Sequence, residues 1–179
     1  YRELLDKGDM FLPVCEYFAG ILRSLGCPEN RIHVHFSGID IAEFSSLKTS
    51  SLSDKNHEFN VFSVGRLVEK KGMEYLIKAI AILAPRYPGI RCVIGGDGAL
   101  RQKLENLIST LGVDKHVHLK GAITSDEVKE QLIKTQLFIL ASVTAEDGDQ
   151  EGIPVSLSEA MASGLPVIST LHSGIPELV

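Results

Sequence analysis

Two acidic and two basic residues have the types and spacing to do chemistry. Glu151 and Glu159 stand eight positions apart in EGIPVSLSEAMASG, and Arg66 and Lys71 stand five apart in GRLVEKKG. A guanidinium and an ammonium on one loop can converge on a single anion. Carboxylates just before and just inside a helix can accept hydrogen bonds from sugar hydroxyls. Pro154 suits the first turn of a helix starting near Val155, where no amide hydrogen is needed. The free amides and positive dipole end of that helix would form a docking point for phosphate. Glu159 would lie roughly 6 Å further along the axis, an offset about the size of a ribose. Each feature alone has a plainer reading: the basic loop can be merely solvated, and the glutamates can favour the helix dipole or lie on the surface. Their combination points to one diphosphate-sugar site.

Such residues need a frame. Apolar, strand-like runs occur at residues 60–64, 91–95, 117–119, 137–141 and 166–169. Between them, Met73, Leu76, Ile77, Ile80, Leu83 and Ala84 fall on one helical face, as do Leu100, Leu104, Leu107, Ile108 and Leu111. Further helices are expected near 126–134 and 155–163. Continuous apolar strands alternating with helices predict a Rossmann-like α/β domain, with a parallel sheet covered on both faces. Ligands in such sheets bind beyond the carboxyl ends of the strands, where GRLVEKKG and EGIP both fall. The GGDG after Ile94 reads as a tight turn or a close backbone approach. It fails as a dinucleotide fingerprint, because Arg101 stands where the third glycine belongs. Upstream, a short strand at 11–14, a helix at 16–25 and a strand at 32–36 precede a polar, serine-rich linker at 45–56.

Composition narrows the function classes. The chain has 179 residues, 44% of them hydrophobic, enough for one sizeable core, and a net charge of -5 argues against general nucleic-acid binding. Cys15, Cys27 and Cys92 are too few and scattered for a disulfide framework or a CxxC metal site, which makes a structural role and a reducing, cytoplasmic compartment the default. No apolar run approaches a membrane span, and YRELLDKGDM lacks signal-peptide features. His33 with His35, and His116 with His118, have a spacing that can hold metal, but neither pair has a third ligand. They read as ordinary strand-end histidines, and His172 as a residue shaping its own loop.

From about Asn60 onward the chain carries VGRLVEKKG, VIGGDGALR, VHLKGAITSDEV and EGIPVSLSEAMASGLPVISTLHSGIPELV. These words resemble the C-terminal domain of retaining GT-B glycosyltransferases of group 1 (family 4 type), which includes sucrose synthase and bacterial mannosyltransferases. GDQEGIPVSLSEAMASGLPV is most similar to the colanic acid and exopolysaccharide enzymes. The resemblance puts the family's E-x7-E motif on Glu151 and Glu159 and its basic pair on Arg66 and Lys71. It implies that Arg66 and Lys71 neutralise the departing nucleoside diphosphate without a divalent metal and that Glu151 handles the sugar. Glu159 would bind the ribose, the backbone of Gly152, Ile153, Pro154 and Val155 the diphosphate, and Gly65 and Ile123 would complete the donor site, with the base near Ile123.

The resemblance further implies a UDP- or GDP-sugar donor, no other cofactor, and a glycan or lipid-linked acceptor held by an N-terminal domain. The parent enzyme would work at the inner face of the membrane, associating peripherally. Residues 1–44 are similar to the end of that N-terminal domain and its crossover, 45–58 to a linker, and 59–179 to a nucleotide-sugar domain truncated at its C-terminus. Such a piece is expected to be inactive alone. A non-catalytic nucleotide-binding module and a sugar-nucleotide epimerase are the alternatives.

Overall fold

The computed structural model of the chain describes residues 2–47 and 58–179. Its frame is a parallel five-stranded sheet: β1 (Phe59–Val64), β2 (Ile90–Gly95), β3 (Val117–Gly121), β4 (Leu137–Leu140) and β5 (Val167–Ser169), in the order β3-β2-β1-β4-β5. The helices are α1 (Arg2–Lys7), α2 (Glu16–Ser24), α3 (Ile41–Ser45), α4 (Met73–Leu83), α5 (Arg101–Leu111), α6 (Ser125–Lys134) and α7 (Val155–Ala162). The sheet grows outward from β1 to β3, then the chain crosses back to lay β4 on β1's other edge. That reversal opens a crevice at the carboxyl ends of β1 and β4, the point where doubly wound sheets take ligands.

The core explains the elements. Val61, Phe62 and Ser63 of β1 are all buried, as expected of a central strand covered on both faces. Phe62 meets Phe138 of β4 edge to face, with ring centroids 5.8 Å apart. Met73, Leu76, Ile77 and Ile80 of α4 and Leu104 and Ile108 of α5 are the predicted stripes at work. Leu83 and Leu111, expected on those stripes, stay 39% and 40% exposed in the last turn of their helices.

One expectation needs correction. Residues 11–14 and 32–36 form no regular strands: Phe11 bridges Ile32, and backbone bonds run from Phe11 N to Arg31 O, His33 N to Phe11 O and His35 N to Pro13 O. Pro13 has no amide hydrogen to extend the ladder. The expected linker at 45–58 lies mostly outside the described residues, and where it is described Ser45 ends α3 and Leu47 packs on the main core. Of the two readings of GGDG, the close approach is the one present: Gly96 has φ +127°, and a Cβ there would lie 1.9 Å from the carbonyl oxygen of Gly65.

A second small cluster of Leu5, Ala19, Cys27 and Ile32 holds α1 and α2 together. It is tied to the sheet domain by Glu177, whose carboxylate accepts from the Glu16 amide at 2.8 Å and the Tyr17 amide at 2.9 Å. Those are orphan donors of α2, whose N-cap, Cys15, supplies no side-chain bond. All three cysteines are free and buried, and burial pushes the Cys92 thiol up to about 12. Among the described residues no helix is long and apolar enough to cross a membrane.

Candidate functional site

The site is assembled by two strand-end loops facing across the β1–β4 crevice. After β1, Gly65 and Arg66 lead into a 3-10 turn, Glu69–Lys71, closed by Gly72. Gly72 has φ +61°, and a Cβ on it would sit 1.8 Å from the carbonyl oxygen of Ala141, just past β4. Only glycine lets the turn lie this close to the second loop. A Cβ on Gly65 would meet Lys71 Cε at 3.2 Å, so the bare backbone leaves room for the lysine chain to cross.

The second loop runs from β4 to α7 and delivers Glu151, a buried carboxylate. Lys71 Nζ donates to its Oε2 at 2.9 Å, and Lys70 Nζ lies 3.8 Å from its Oε1. Oε1 is fully buried with no hydrogen-bond partner among the described residues, an arrangement that costs free energy unless a ligand supplies the donor. The Glu151 amide donates to His172 Nε2 at 3.3 Å, which puts the ring proton on Nδ1. Burial lowers the His172 pKa, favouring this neutral imidazole, while the Glu151 charge pulls the other way. Pro154 is the N-cap of α7 and offers no side-chain acceptor; the Leu157 amide donates to its carbonyl oxygen at 3.0 Å, and the Val155 and Ser156 amides have no cap among the described residues.

A cavity of about 420 Å³ joins these parts, lined by Val64, Gly65, Arg66, Lys70, Lys71, Glu151, Ile153, Pro154, Val155 and Glu159, among others. Arg66 is exposed at its rim, and its charge reaches Asp149. Glu159 is half-buried; burial raises its pKa, the charge of Glu43 pushes the same way, and Lys129 opposes both. Lys129 itself pairs with Glu43 on α3, which packs against α7. The cavity therefore gathers Arg66, Lys70 and Lys71, the start of α7 and the two carboxylates along one wall.

Two expected residues stand apart from this wall. A Cβ on Gly152 would meet Val14 Cγ2 at 2.6 Å and Phe18 at 3.3 Å, so the bare backbone here lets the N-terminal segment pack close. Ile123 lies over Gly95 at the end of β2, its Cδ1 2.3 Å from where a Cβ on that glycine would be. Lys70 was missed by the sequence reading, because its partners Asp149, Gln150 and Glu151 lie some eighty residues away. The histidine pairs take no part: His33, His35 and His118 are exposed, and His116 Nδ1 bonds the Ile90 carbonyl oxygen at 2.9 Å. Among the described residues no group of three or more His, Cys, Asp or Glu is arranged to hold a metal.

Residues 47–179 match the family described as Glycosyl transferases group 1. The chain belongs to this family. Over all 179 residues it is 42% identical to WcaL of Escherichia coli K12, named as a colanic acid biosynthesis glycosyltransferase, and covers 43% of that protein. It is 40% identical to the amylovoran biosynthesis glycosyltransferase AmsK of Erwinia amylovora, again covering all of this chain and 43% of the relative. The chain thus spans less than half the length of these curated relatives. Among solved structures, Anabaena HepE in complex with UDP and glucose superposes with a TM-score of 0.79 at 23% identity, over 98% of this chain and 48% of that one. The C-terminal domain of the group 1 glycosyltransferase LpcC from Francisella tularensis gives 0.63 at 22% identity, over 79% of this chain and 75% of that one. These two likenesses speak to the fold, a Rossmann-like domain shared with GT-B glycosyltransferases.

Proposed function

We propose that the chain is the donor-binding half of a retaining glycosyltransferase, which moves a sugar from a UDP- or GDP-sugar to a glycan or lipid-linked acceptor in cell-surface polysaccharide synthesis. The observation that carries this reading is the single cavity that gathers Arg66, Lys71, the uncapped start of α7 and two carboxylates, one with an unpartnered oxygen. The diphosphate would lie against the α7 amides between Arg66 and Lys71, which offset the charge growing on it as the glycosidic bond breaks. Two cations there would offset this charge without a divalent metal. Glu159 would accept from the ribose hydroxyls, and Glu151 Oε1 from a donor-sugar hydroxyl. The acceptor oxygen would attack the anomeric carbon from the side the diphosphate leaves, passing its proton to a diphosphate oxygen. The whole enzyme would act in the cytoplasm, at the inner face of the membrane.

The test is a calorimetric titration of the chain and its variants with UDP, GDP and their sugars. Arg66→Ala and Lys71→Ala should each weaken nucleoside-diphosphate binding by about 1.5 to 3 kcal/mol, the range for a hydrogen bond to a charged group. Glu159→Ala should weaken the plain diphosphate, whereas Glu151→Ala should act mainly on the nucleotide sugar. Folded Arg66→Ala and Lys71→Ala chains with wild-type affinity would remove the phosphate clamp and the reading with it.

A further inference from the structure

Three consecutive residues of the 3-10 turn reach across the crevice to one loop. The Lys70 carbonyl oxygen accepts from the Val143 amide at 2.9 Å, a Glu69 carboxylate oxygen accepts from the Glu146 amide at 3.1 Å, and Lys71 Nζ holds Glu151 at 2.9 Å. The Lys70 ammonium is the hub of this clasp. It donates to Asp149 Oδ1 at 3.0 Å and to the Gln150 carbonyl oxygen at 3.3 Å, and it faces Glu151 Oε1 at 3.8 Å. Only 14% of its side chain is exposed.

An ammonium has three donors, and protein acceptors surround this one, which leaves it poorly placed to bind phosphate. Lys71 differs, since among the described residues its one acceptor is Glu151. If an arriving diphosphate draws Lys71 toward itself, Glu151, with 8% of its side chain exposed, would lose its nearest countercharge. A buried carboxylate without a partner is strongly disfavoured. We infer that Lys70 is a positioning residue: it holds Glu151 and the backbone of 149–151 in place when the ligand engages Lys71, and so supports recognition of the sugar rather than the diphosphate. This rests on the donor-site reading above.

The experiment compares the chain with Lys70→Met and Lys70→Arg by NMR titration against UDP, GDP and the matching nucleotide sugars, and follows exchange of the Ala145 and Glu151 amides without ligand. In Lys70→Met the nucleotide sugar should lose about tenfold more affinity than the nucleoside diphosphate, as expected when one charge-assisted contact is lost. Lys70→Arg should recover most of that difference, and both amides should exchange faster in Lys70→Met. Equal losses on both ligands would make Lys70 a phosphate ligand and overturn the inference. So would no loss on either, or an arginine no better than methionine. A wild-type chain that binds no nucleotide would sink the donor reading instead, and is told apart because the amides would still exchange faster in Lys70→Met. Should Lys70→Met not fold, Asp149→Asn, which loosens the same ammonium from its exposed side, should give the same split.

Discussion

Glu159 shows at the scale of one residue how a site can cost the fold. Burial, helped by the neighbouring Glu43 charge and opposed by Lys129, raises its carboxyl above the ordinary 4.5. The folded chain therefore holds that proton more tightly than the unfolded chain does. The stability this gives is complete below the ordinary value and is lost as pH rises through the folded value. Glu159→Gln imitates the protonated form. Its melting temperature should equal that of the wild type on the acid side of this window and exceed it on the neutral side, while UDP or GDP binding weakens. Thermal melts across the window check this, and a difference independent of pH would contradict the burial argument. A carboxylate retained against the fold's own preference is what a hydroxyl-binding role would require.

Among the elements, the 3-10 turn at Glu69–Lys71 and its closing glycine decide whether the two halves of the site meet. Gly72→Ala places a methyl group 1.8 Å from where the Ala141 carbonyl oxygen lies, at a φ that L-residues resist. Its cost should reach about 4 kcal/mol or more, the range of severe single substitutions, read from urea unfolding. A loss under about 1 kcal/mol would mean that the loops part easily. The long elements were legible because sheet packing imposes a period: α4 buries Met73, Leu76, Ile77 and Ile80 at the expected spacing. Five-residue α3 has too few turns to show one, and its only signal was Asp40, whose carboxylate accepts from the Ala42 and Glu43 amides. Thr124 and Glu127 form a reciprocal capping box that fixes the start of α6, a signal the sequence reading passed over. At the site, residue types at strand ends pointed to Arg66, Lys71, Glu151 and Glu159, which the cavity brings together. Spacing could not reveal that Lys70 faces Glu151, nor that Gly152 faces Val14, because both contacts join distant stretches of chain.

For the whole molecule, the proposed donor site predicts what the chain can do alone. Beside it runs a larger apolar groove of about 900 Å³, lined by Leu4, Leu12, Phe18 and Ile21 and edged by Asp149 and Gln150. A GT-B reaction needs water excluded from the donor and an acceptor held opposite it, and this chain is 43% of the length of WcaL and AmsK. The chain alone should bind UDP or GDP weakly, near ~1 mM or about 4 kcal/mol, and transfer no sugar. Incubation with labelled donor and the acceptor used by a longer polypeptide containing this chain tests it; product at a comparable rate would overturn the two-domain requirement. The stretch from His172 to Glu177 joins two distant parts of the molecule as well. At one end it grips the Glu151 amide through an imidazole, and at the other it grips the start of α2 through a carboxylate. Six residues thus form one short brace with two anchors, the start of α2 and the backbone of Glu151.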